Sequence, residues 1–380
     1  MLHAAGVGAL MAATAGAGLL SYRAYDNRVL GADRSGAFDG WRRWRDEPGL
    51  RGLVAAASLA ASPHNTQPWS FHLGDNHIDV YADDARRMGS VDPYARELRL
   101  GLGCALENLV LAGQARGFDP QVTLCPDTTR PDLAARVDLP SGAHNETARY
   151  RAIGRRHTNR GPYRRQPISD AILAELTSLA TGQPTLAWIT SEHDRLAMGQ
   201  LMVEAAQAVT ADTDQSRDGF AWFRASADAI NAHKDGLTLD GQGLSSLVTA
   251  VAKLLPSTSR AAGDAFWVDQ TRTVHTRTAA AYGLILVPDP RDPVHQLDGG
   301  RLLQRIHLEV TVRGLALQHM NQITERIDRD LSLGRSQTFG PRLAALVGRS
   351  DQQVLTAFRL GHPVREGRRS PRRPAPEVLR

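Results

Sequence analysis

Residues 60–69, with the sequence AASPHNTQPW, constrain the fold of this chain more than any other segment. An apolar, alanine-rich run over residues 53–61 predicts a helix that stops at Ser62, because Pro63 disfavours helical geometry in the residue before it. A polar turn follows, and after Pro68 the aromatic Trp69 leads into a predicted strand. The turn presents hydroxyl, imidazole and amide groups on a rigid backbone. From the residues alone, an ordinary helix-to-strand connection and a binding loop both remain open.

The bulk composition indicates a soluble globular protein. The chain has 380 residues, of which 42% are hydrophobic and 22% charged, and this length allows two or three average domains. The net charge is +5, and the basic residues are almost all arginines, scattered along the chain except near the C-terminus. A charge of this size on so long a chain gives little support to nucleic-acid binding, and we expect no nucleic-acid partner.

The cysteines and histidines predict neither a disulfide framework nor a metal site. Cys104 falls in a predicted buried helix and Cys125 at the end of a predicted strand, so both are expected to be packed or free thiols. The histidines show no metal-ligand spacing, alone or with the cysteines.

The N-terminal segment, residues 1–30, contains an almost wholly apolar run of small residues over positions 4–20. Three interpretations compete: the apolar region of a signal peptide, a short membrane anchor, and a helix docked on the domain. We favour membrane association or export, and a cytoplasmic location applies if the segment is a docked helix.

The rest of the chain divides at a segment rich in Pro, Asp and Ser over residues 126–146, which predicts one half at residues 31–145 and another at residues 146–380. Apolar residues at helical spacing predict long helices at 93–117 and 297–314, and Ser169 is expected to cap a helix that runs to residue 180. Strand patterns lie at 77–81, 121–125, 282–287 and 354–360.

The two long helices resemble each other in sequence. Gly103, Leu106 and Leu109 align with Gly300, Leu303 and Ile306 at one constant offset, and both helices end in an Arg-Gly-apolar triplet, at residues 116–118 and 313–315. Any two amphipathic helices match at leucine positions, but the coincident endings make chance less attractive as an explanation. The match predicts two related halves in one chain.

Two further segments carry basic groups at close spacing. Arg156, Thr158 and Arg160 supply two guanidinium groups and a hydroxyl within five residues, and Arg372 and Arg373 lie in the basic C-terminal tail after the Gly361-His362-Pro363 triplet. Such clusters suit a phosphate-bearing ligand. Alone, an arginine-rich turn is more often a solvated loop, and a basic C-terminal segment can equally be a disordered tail.

Taken together, these segments resemble the motifs of the FMN-dependent nitroreductases, in particular the Acg-like subgroup. The resemblance runs from about Trp41 to the C-terminus. It implies an α+β, nitroreductase-like fold whose two fused halves resemble a nitroreductase dimer in one chain, present as a monomer or a loose dimer. It also implies FMN as cofactor, bound by Ser62, Pro63, His64, Asn65, Gln67, Arg156, Thr158, Arg160, Arg372 and Arg373.

The function implied by the resemblance is hydride transfer through FMN from NAD(P)H to an unidentified small-molecule acceptor, with no side chain required as a nucleophile. In a standard nitroreductase the arginine signature precedes the Asn-x-Gln-Pro-Trp turn, whereas here it follows the turn by most of a domain. We therefore expect a single FMN site, completed by the turn of the first half and the arginines of the second. The alternatives are an FMN storage or sequestration protein without turnover, and a membrane-tethered interaction protein whose site is empty.

A long insertion at about residues 210–270 separates the arginine signature from the strand at 282–287. It contains the aromatic segments 220–223 and 266–267 and a glycine-rich stretch at 235–243. Aromatic side chains beside glycine hinges suit a lid over a planar ring. The same aromatics in amphipathic helices are also typical of a packed core.

Overall fold

The computed structural model describes residues 34–256, 258–349 and 351–380. The signal or anchor predicted for residues 4–20 lies outside these ranges. Within them, no helix combines the length and the apolar character needed to cross a membrane. The described α-helices are α1 (Asp39–Arg43), α2 (Gly49–Ala57), α3 (Arg96–Ala115), α4 (Ala148–Ala152), α5 (Asp170–Thr177), α6 (Glu192–Ala211), α7 (Thr213–Phe220), α8 (Ala227–His233), α9 (Ser246–Leu254), α10 (Arg260–Gln270), α11 (Pro293–Val312), α12 (Gln322–Ser332) and α13 (Phe339–Val347).

The first half of the chain builds a four-stranded antiparallel sheet. Its strands are β1 (Trp69–Leu73), β2 (His77–Ala82), β3 (Gln121–Leu124) and β4 (Leu133–Asp138), arranged in the order β1-β2-β4-β3. A short hairpin joins β1 to β2, and α3 connects β2 to β3.

The second half repeats this plan with longer connections. Its strands are β5 (Tyr163–Arg164), β6 (Thr185–Ile189), β9 (Ala281–Val287), β10 (Ala316–His319) and β11 (Gln353–Pro363), while β7 (Phe223–Arg224) and β8 (Leu237–Thr238) pair outside this sheet. The sheet has the order β6-β9-β11-β10, all antiparallel, and β5 adds to β11. A helical insertion replaces the hairpin between β6 and β9, and α12 and α13 lie between β10 and β11.

The two sheets therefore have equivalent strand orders. In each half a 20-residue helix follows the second strand of the sheet along the chain: α3 lies between β2 and β3, and α11 lies between β9 and β10. The α+β prediction with two similar halves is confirmed. The sheets lie on either side of the boundary predicted between residues 145 and 146.

The two long helices, α3 and α11, cross at their glycines. A Cβ atom on Gly103 would lie 2.1 Å from the carbonyl oxygen of Leu297, and one on Gly300 would lie 2.3 Å from that of Leu100. The contacts are reciprocal, because position 100 corresponds to 297 and position 103 to 300 in the aligned helices. This reciprocity is what a two-fold arrangement of the halves requires.

Both long helices also begin and end alike. The carboxylate of Asp92 accepts hydrogen bonds from the N–H groups of Glu97 and Leu98 at the start of α3, and that of Asp292 caps α11. Gly117 and Gly314 end the helices with φ of +82° and +68°, a conformation that favours glycine. The repeated Arg-Gly-apolar triplets are thus two equivalent helix stops.

One hydrophobic core joins the two halves around α2, α3 and α11 and the inner faces of both sheets. A second, smaller core lies between the outer face of the second sheet and the helices α6, α12 and α13. Because helices cover both faces of the second sheet, all seven residues of β9 are buried, and β9 reads as a continuous apolar run.

Several boundaries differ from those predicted. The helix expected at residues 53–61 is α2, which spans Gly49–Ala57 and ends where the Ser58 hydroxyl donates to the carbonyl of Val54. The segment 126–146, interpreted as a separator, contains β4. The basic tail is not a free end, because Arg372 and Arg373 are buried against the first half.

The helix crossing gives a direct stability prediction. Gly103→Ala or Gly300→Ala places a methyl group against backbone atoms that cannot move aside, and we expect a loss of about 1–3 kcal/mol in the free energy of unfolding. Gly340→Ala in α13 is the matched control, because its added methyl meets nothing closer than 3.8 Å and alanine favours the helix. Urea denaturation measures all three, and unchanged midpoints for the two crossing variants would contradict the packing described.

Candidate functional site

The turn at residues 62–67 has a strained backbone. Ser62 is extended, as expected for a residue before proline, but His64, Asn65 and Gln67 have φ of 45°, 57° and 51°. Left-handed geometry in a residue other than glycine costs on the order of 1–3 kcal/mol and persists only where surrounding contacts enforce it. Three such residues among four make this turn a feature that the rest of the protein must hold.

Side-chain hydrogen bonds from distant segments hold the turn. Asn65 Nδ2 donates to the carbonyls of Gly236 at 3.1 Å and Pro371 at 3.0 Å. Gln67 Nε2 donates to the carbonyl of Lys234 at 2.8 Å, and Gln67 Oε1 accepts from the backbone N–H of Arg373 at 2.9 Å. The insertion and the C-terminal tail therefore both anchor on the turn.

Beside the turn lies a small polar pocket of about 30 Å³ that contains arginines from both the second half and the tail. Arg156 and Arg372 are both buried, and the guanidinium of each lies over the ring of Trp41. Their contacts are to neutral groups: Arg156 donates to the carbonyl of Leu59, and Arg372 to the carbonyl of Ala60 and the side-chain oxygen of Asn65.

These cations lack an anionic partner. Among the described residues, no ion pair joins Arg156, Arg160 or Arg372 to a carboxylate, and the Nε atoms of Arg156 and Arg372 have no hydrogen-bond partner. Burial lowers the pKa of Arg156 to about 10, and burial together with the nearby Arg156 lowers the pKa of Arg372 well below its usual value. Buried, unpaired cations are costly, and an anionic group bound in this pocket would remove that cost.

The polar pocket opens onto a much larger cavity of about 530 Å³ that both halves line. Ala61, Ser62, Thr158 and Arg160 border both spaces. Aromatic side chains of the insertion form one wall: Phe220, Phe223, Phe266 and Trp267. A cavity of this size that is largely apolar, with a few convergent polar groups, is typical of a site for a drug-sized ligand or a cofactor.

The structure brings eight of the ten predicted site residues together around these two spaces: Ser62, Pro63, His64, Asn65, Arg156, Thr158, Arg160 and Arg372. Gln67 and Arg373 lie behind the turn instead. Arg373 donates to the carbonyls of Gln67 at 2.6 Å and Trp69 at 3.1 Å, so these two residues fix the turn's shape.

Histidines that the sequence analysis did not single out connect the two spaces. His307 Nε2 donates to the carbonyl of His157, which leaves Nδ1 to accept from Arg156 at 3.4 Å and from His319 at 3.3 Å. Burial lowers the pKa of His319 to about 3 and that of His307 well below its usual value, so both rings are neutral. His319 lines the large cavity, and only its place at the end of β10 would have suggested this.

Two buried glutamates, Glu97 and Glu325, also line the large cavity and were not predicted as site residues. Each lies in an amphipathic helix, where a polar residue is usually exposed. Within the described ranges, no group of three or more His, Cys, Asp and Glu side chains could hold a metal ion. Cys104 and Cys125 are free thiols, and burial raises the pKa of Cys104 to about 12.

Comparison with known proteins points to one group. No family model matches the chain. A Mycobacterium tuberculosis protein named "Putative NAD(P)H nitroreductase acg" is 27% identical over 344 residues, which cover 87% of this chain and 95% of the relative. The chain is thus similar to this Acg protein over most of the length of both. A second M. tuberculosis protein, also named as an NAD(P)H nitroreductase, is 27% identical over 181 residues, which cover 47% of this chain and 52% of that protein.

Solved structures with partial likeness are also nitroreductases. The FMN- and NADPH-dependent nitroreductase NfnB from Sphingopyxis sp. strain HMH is 18% identical with a TM-score of 0.39, covering 61% of this chain and 97% of the other. The NfnB of Mycobacterium smegmatis, solved in complex with NADPH, is 12% identical with a TM-score of 0.32, covering 57% and 88%.

The unpaired arginines predict binding of a simple anion. Inorganic phosphate should raise the melting temperature of the ligand-free protein, because a ligand at 100 times its Kd stabilises the folded state by about 2.7 kcal/mol. Arg156→Met and Arg372→Met should lose this response. Arg368→Met, which removes an exposed charge from the same tail, is the control. Equal phosphate stabilisation in all four proteins would show that the pocket does not bind the anion.

Proposed function

We propose that this protein binds one FMN per chain in the two adjoining spaces and acts as an FMN-dependent oxidoreductase that takes reducing equivalents from NAD(P)H. The observation that carries the proposal is the pair of buried, unpaired arginines, Arg156 and Arg372, in a polar pocket that opens onto a large, partly aromatic cavity. The names of the mycobacterial relatives support the choice of NAD(P)H.

The residues present fit the cofactor. A phosphate group would supply the negative charge that the pocket lacks. It would also accept hydrogen bonds from the Nε atoms of Arg156 and Arg372, which have no partner. Arg156 and Arg372 would hold the phosphate, and Asn65 would position Arg372 through its side-chain oxygen. Ser62, Thr158 and Arg160 lie where the pocket meets the cavity. A planar ring system would then occupy the cavity.

Bound FMN would supply hydride transfer, which needs no nucleophilic side chain. The protein's own part is to position the ring and control the charge around it. Arg160 keeps a positive charge at neutral pH although burial lowers its pKa to about 10, and it is the cavity-facing group that suits negative charge on a reduced ring. His64 borders the same cavity with a pKa lowered to about 4 by burial and by Arg160, so it stays neutral.

A storage role without turnover is the second candidate, and the way the insertion is fastened favours it. The Asp218 carboxylate on α7 accepts from the backbone N–H and the hydroxyl of Ser90 at 2.8 and 2.7 Å. Asp235 pairs with Arg86 of the first half at 2.8 Å and with Arg224. Both links tie the insertion to the first half, so we propose that the insertion is a lid, and a firmly held lid would restrict access to a bound ring.

Anaerobic titration separates the two functions. Bleaching of the flavin absorption by stoichiometric NADPH or NADH supports the oxidoreductase, whereas flavin that is bound but not reduced supports storage. A protein that binds no FMN at all would refute both.

The arginine assignment predicts the loss of FMN affinity on substitution. Removing a charge-assisted contact costs about 1.5–3 kcal/mol, so Arg160→Ala should weaken FMN binding by roughly one to two decades. Arg155→Ala is the matched control, since Arg155 is exposed and five residues upstream in the same segment. Fluorescence titration gives the affinity and the stoichiometry, which we expect to be one. Wild-type affinity in folded Arg160→Ala would remove this residue from the site.

The lid predicts a change in access when its fastening is cut. Asp218→Ala removes both hydrogen bonds to Ser90, and acrylamide should then quench bound-flavin fluorescence with a higher rate constant while FMN remains bound. Asp228→Ala, an exposed aspartate in the same insertion, should leave the rate constant unchanged. If Asp218→Ala retains its flavin and quenches like the wild type, the insertion is a fixed wall and not a lid.

A further inference from the structure

The wall of the large cavity that α12 contributes carries an acid without a partner. Glu325 is 8% exposed and lines the cavity, yet its carboxyl group makes no hydrogen bond or ion pair with any described residue. Native proteins rarely leave a buried carboxyl in this state, and such groups require an explanation. Because the carboxyl faces the cavity, the missing partner is one that the cavity can hold.

The neighbours of Glu325 are mostly acidic. Asp92 is occupied by the N–H groups at the start of α3, and Asp328 pairs with Arg96 at 2.7 Å. Glu97 accepts from Asn321 at 2.7 Å through one oxygen, while its other oxygen lies 3.4 Å from Arg96 without forming a hydrogen bond. One arginine thus faces four carboxyl groups in this region.

Without a ligand, protonation of the glutamates reduces the repulsion among these carboxyl groups. Burial, and then the negative charge of Glu97, raise the pKa of Glu325 well above its usual value, and burial raises that of Glu97 to about 7. The other titratable side chains that line the cavity are His64, Cys104, Arg160, Asp264 and His275 together with His319. Of these, Arg160 alone is a cation at neutral pH, since burial also lowers the pKa values of the three histidines.

We propose that Glu325, with Glu97, is the recognition site for an organic cation: the substrate that enters this cavity has an aromatic or apolar body and a protonated nitrogen. The stacked rings of Phe220 and Phe223, whose centroids lie 5.9 Å apart, and the ring of Trp267 offer apolar and cation–π surface in the same cavity. The inference deepens the proposed function by naming the class of acceptor, but the binding event itself does not depend on FMN.

The sign of the pH dependence follows from the displaced proton. A cation that pairs with Glu325 favours the carboxylate and lowers its pKa, so binding below the pKa of the free site releases a proton. The affinity for the cation therefore rises with pH until that pKa is passed. A neutral ligand of the same shape releases no proton, and its affinity does not change in this way.

The experiment compares 2-naphthylmethylammonium with its neutral isostere 2-naphthylmethanol, binding to the full-length protein by calorimetry. At pH 8 the wild type should bind the cation at least about tenfold more tightly than the neutral alcohol, because a hydrogen bond to a charged group contributes a free energy of that size. At pH 6 the measured heat should vary with the ionisation heat of the buffer by close to one released proton.

Glu325→Gln should abolish most of the cation preference and the proton release, while Glu192→Gln, at an exposed position of α6, should change neither. Glutamine mimics the protonated acid, so the variant is expected to fold, and Glu97→Gln provides an independent second variant with a reduced preference. Equal binding of the two ligands by the wild type, or a preference that survives in Glu325→Gln, overturns the inference. FMN titration of the same samples shows separately whether the proposed function stands.

Discussion

The backbone contact between α3 and α11 is the constraint on which the rest of the structure depends. With no side chain at Gly103 or Gly300, the two helices approach until carbonyl oxygens meet Cα atoms, and the halves are drawn together around this crossing. Buried amides extend the contact: Asn108 accepts from Gln304 at 2.8 Å, and Gln304 accepts from the N–H of Ala61, directly before the strained turn. The position of the turn in the first half is thus set by a helix of the second.

Energetically unfavourable features of the protein are concentrated around the polar pocket and the large cavity. Two residues with positive φ (His64 and Asn65), two unpaired arginines and an unpaired glutamate all border two connected spaces. Each of them lowers the stability of the ligand-free protein. They persist because the core that joins the two halves is continuous and well packed, and because segments far apart in the chain hold the turn.

The sequence pattern predicted those parts of the structure that depend on local signals. The long helices, the strands β2, β3, β9 and β11, and the cap at Ser169 follow from periodicity and capping residues. The strands β4 and β10 and the helices α12 and α13 were missed. β4 was hidden by turn-forming residues at its ends, and β10 has only four residues, fewer than a reliable period needs.

The same distinction applies to the site. The turn and the arginine signature were visible because each is a compact string of residues. The separate roles of Arg372 and Arg373 were not, since neighbouring arginines point to different partners: one to the polar pocket and the other to the carbonyls of Gln67 and Trp69. Glu97 and Glu325 stand more than 200 residues apart and resemble surface positions of amphipathic helices, so no local pattern could report that they face one cavity.

The bonds between the turn and the tail have a consequence for how the protein is made. Asn65 meets Arg372 across a separation of 307 residues, and the sheet of the first half bonds to the tail as well, where the N–H of Arg380 donates to the carbonyl of Phe71. During synthesis the N-terminal part of a chain emerges first. A nascent chain can therefore form the first sheet, but it cannot yet make the contacts between the turn and the tail. Loading of any ligand into the polar pocket must therefore wait until the segment around Arg372 has left the ribosome.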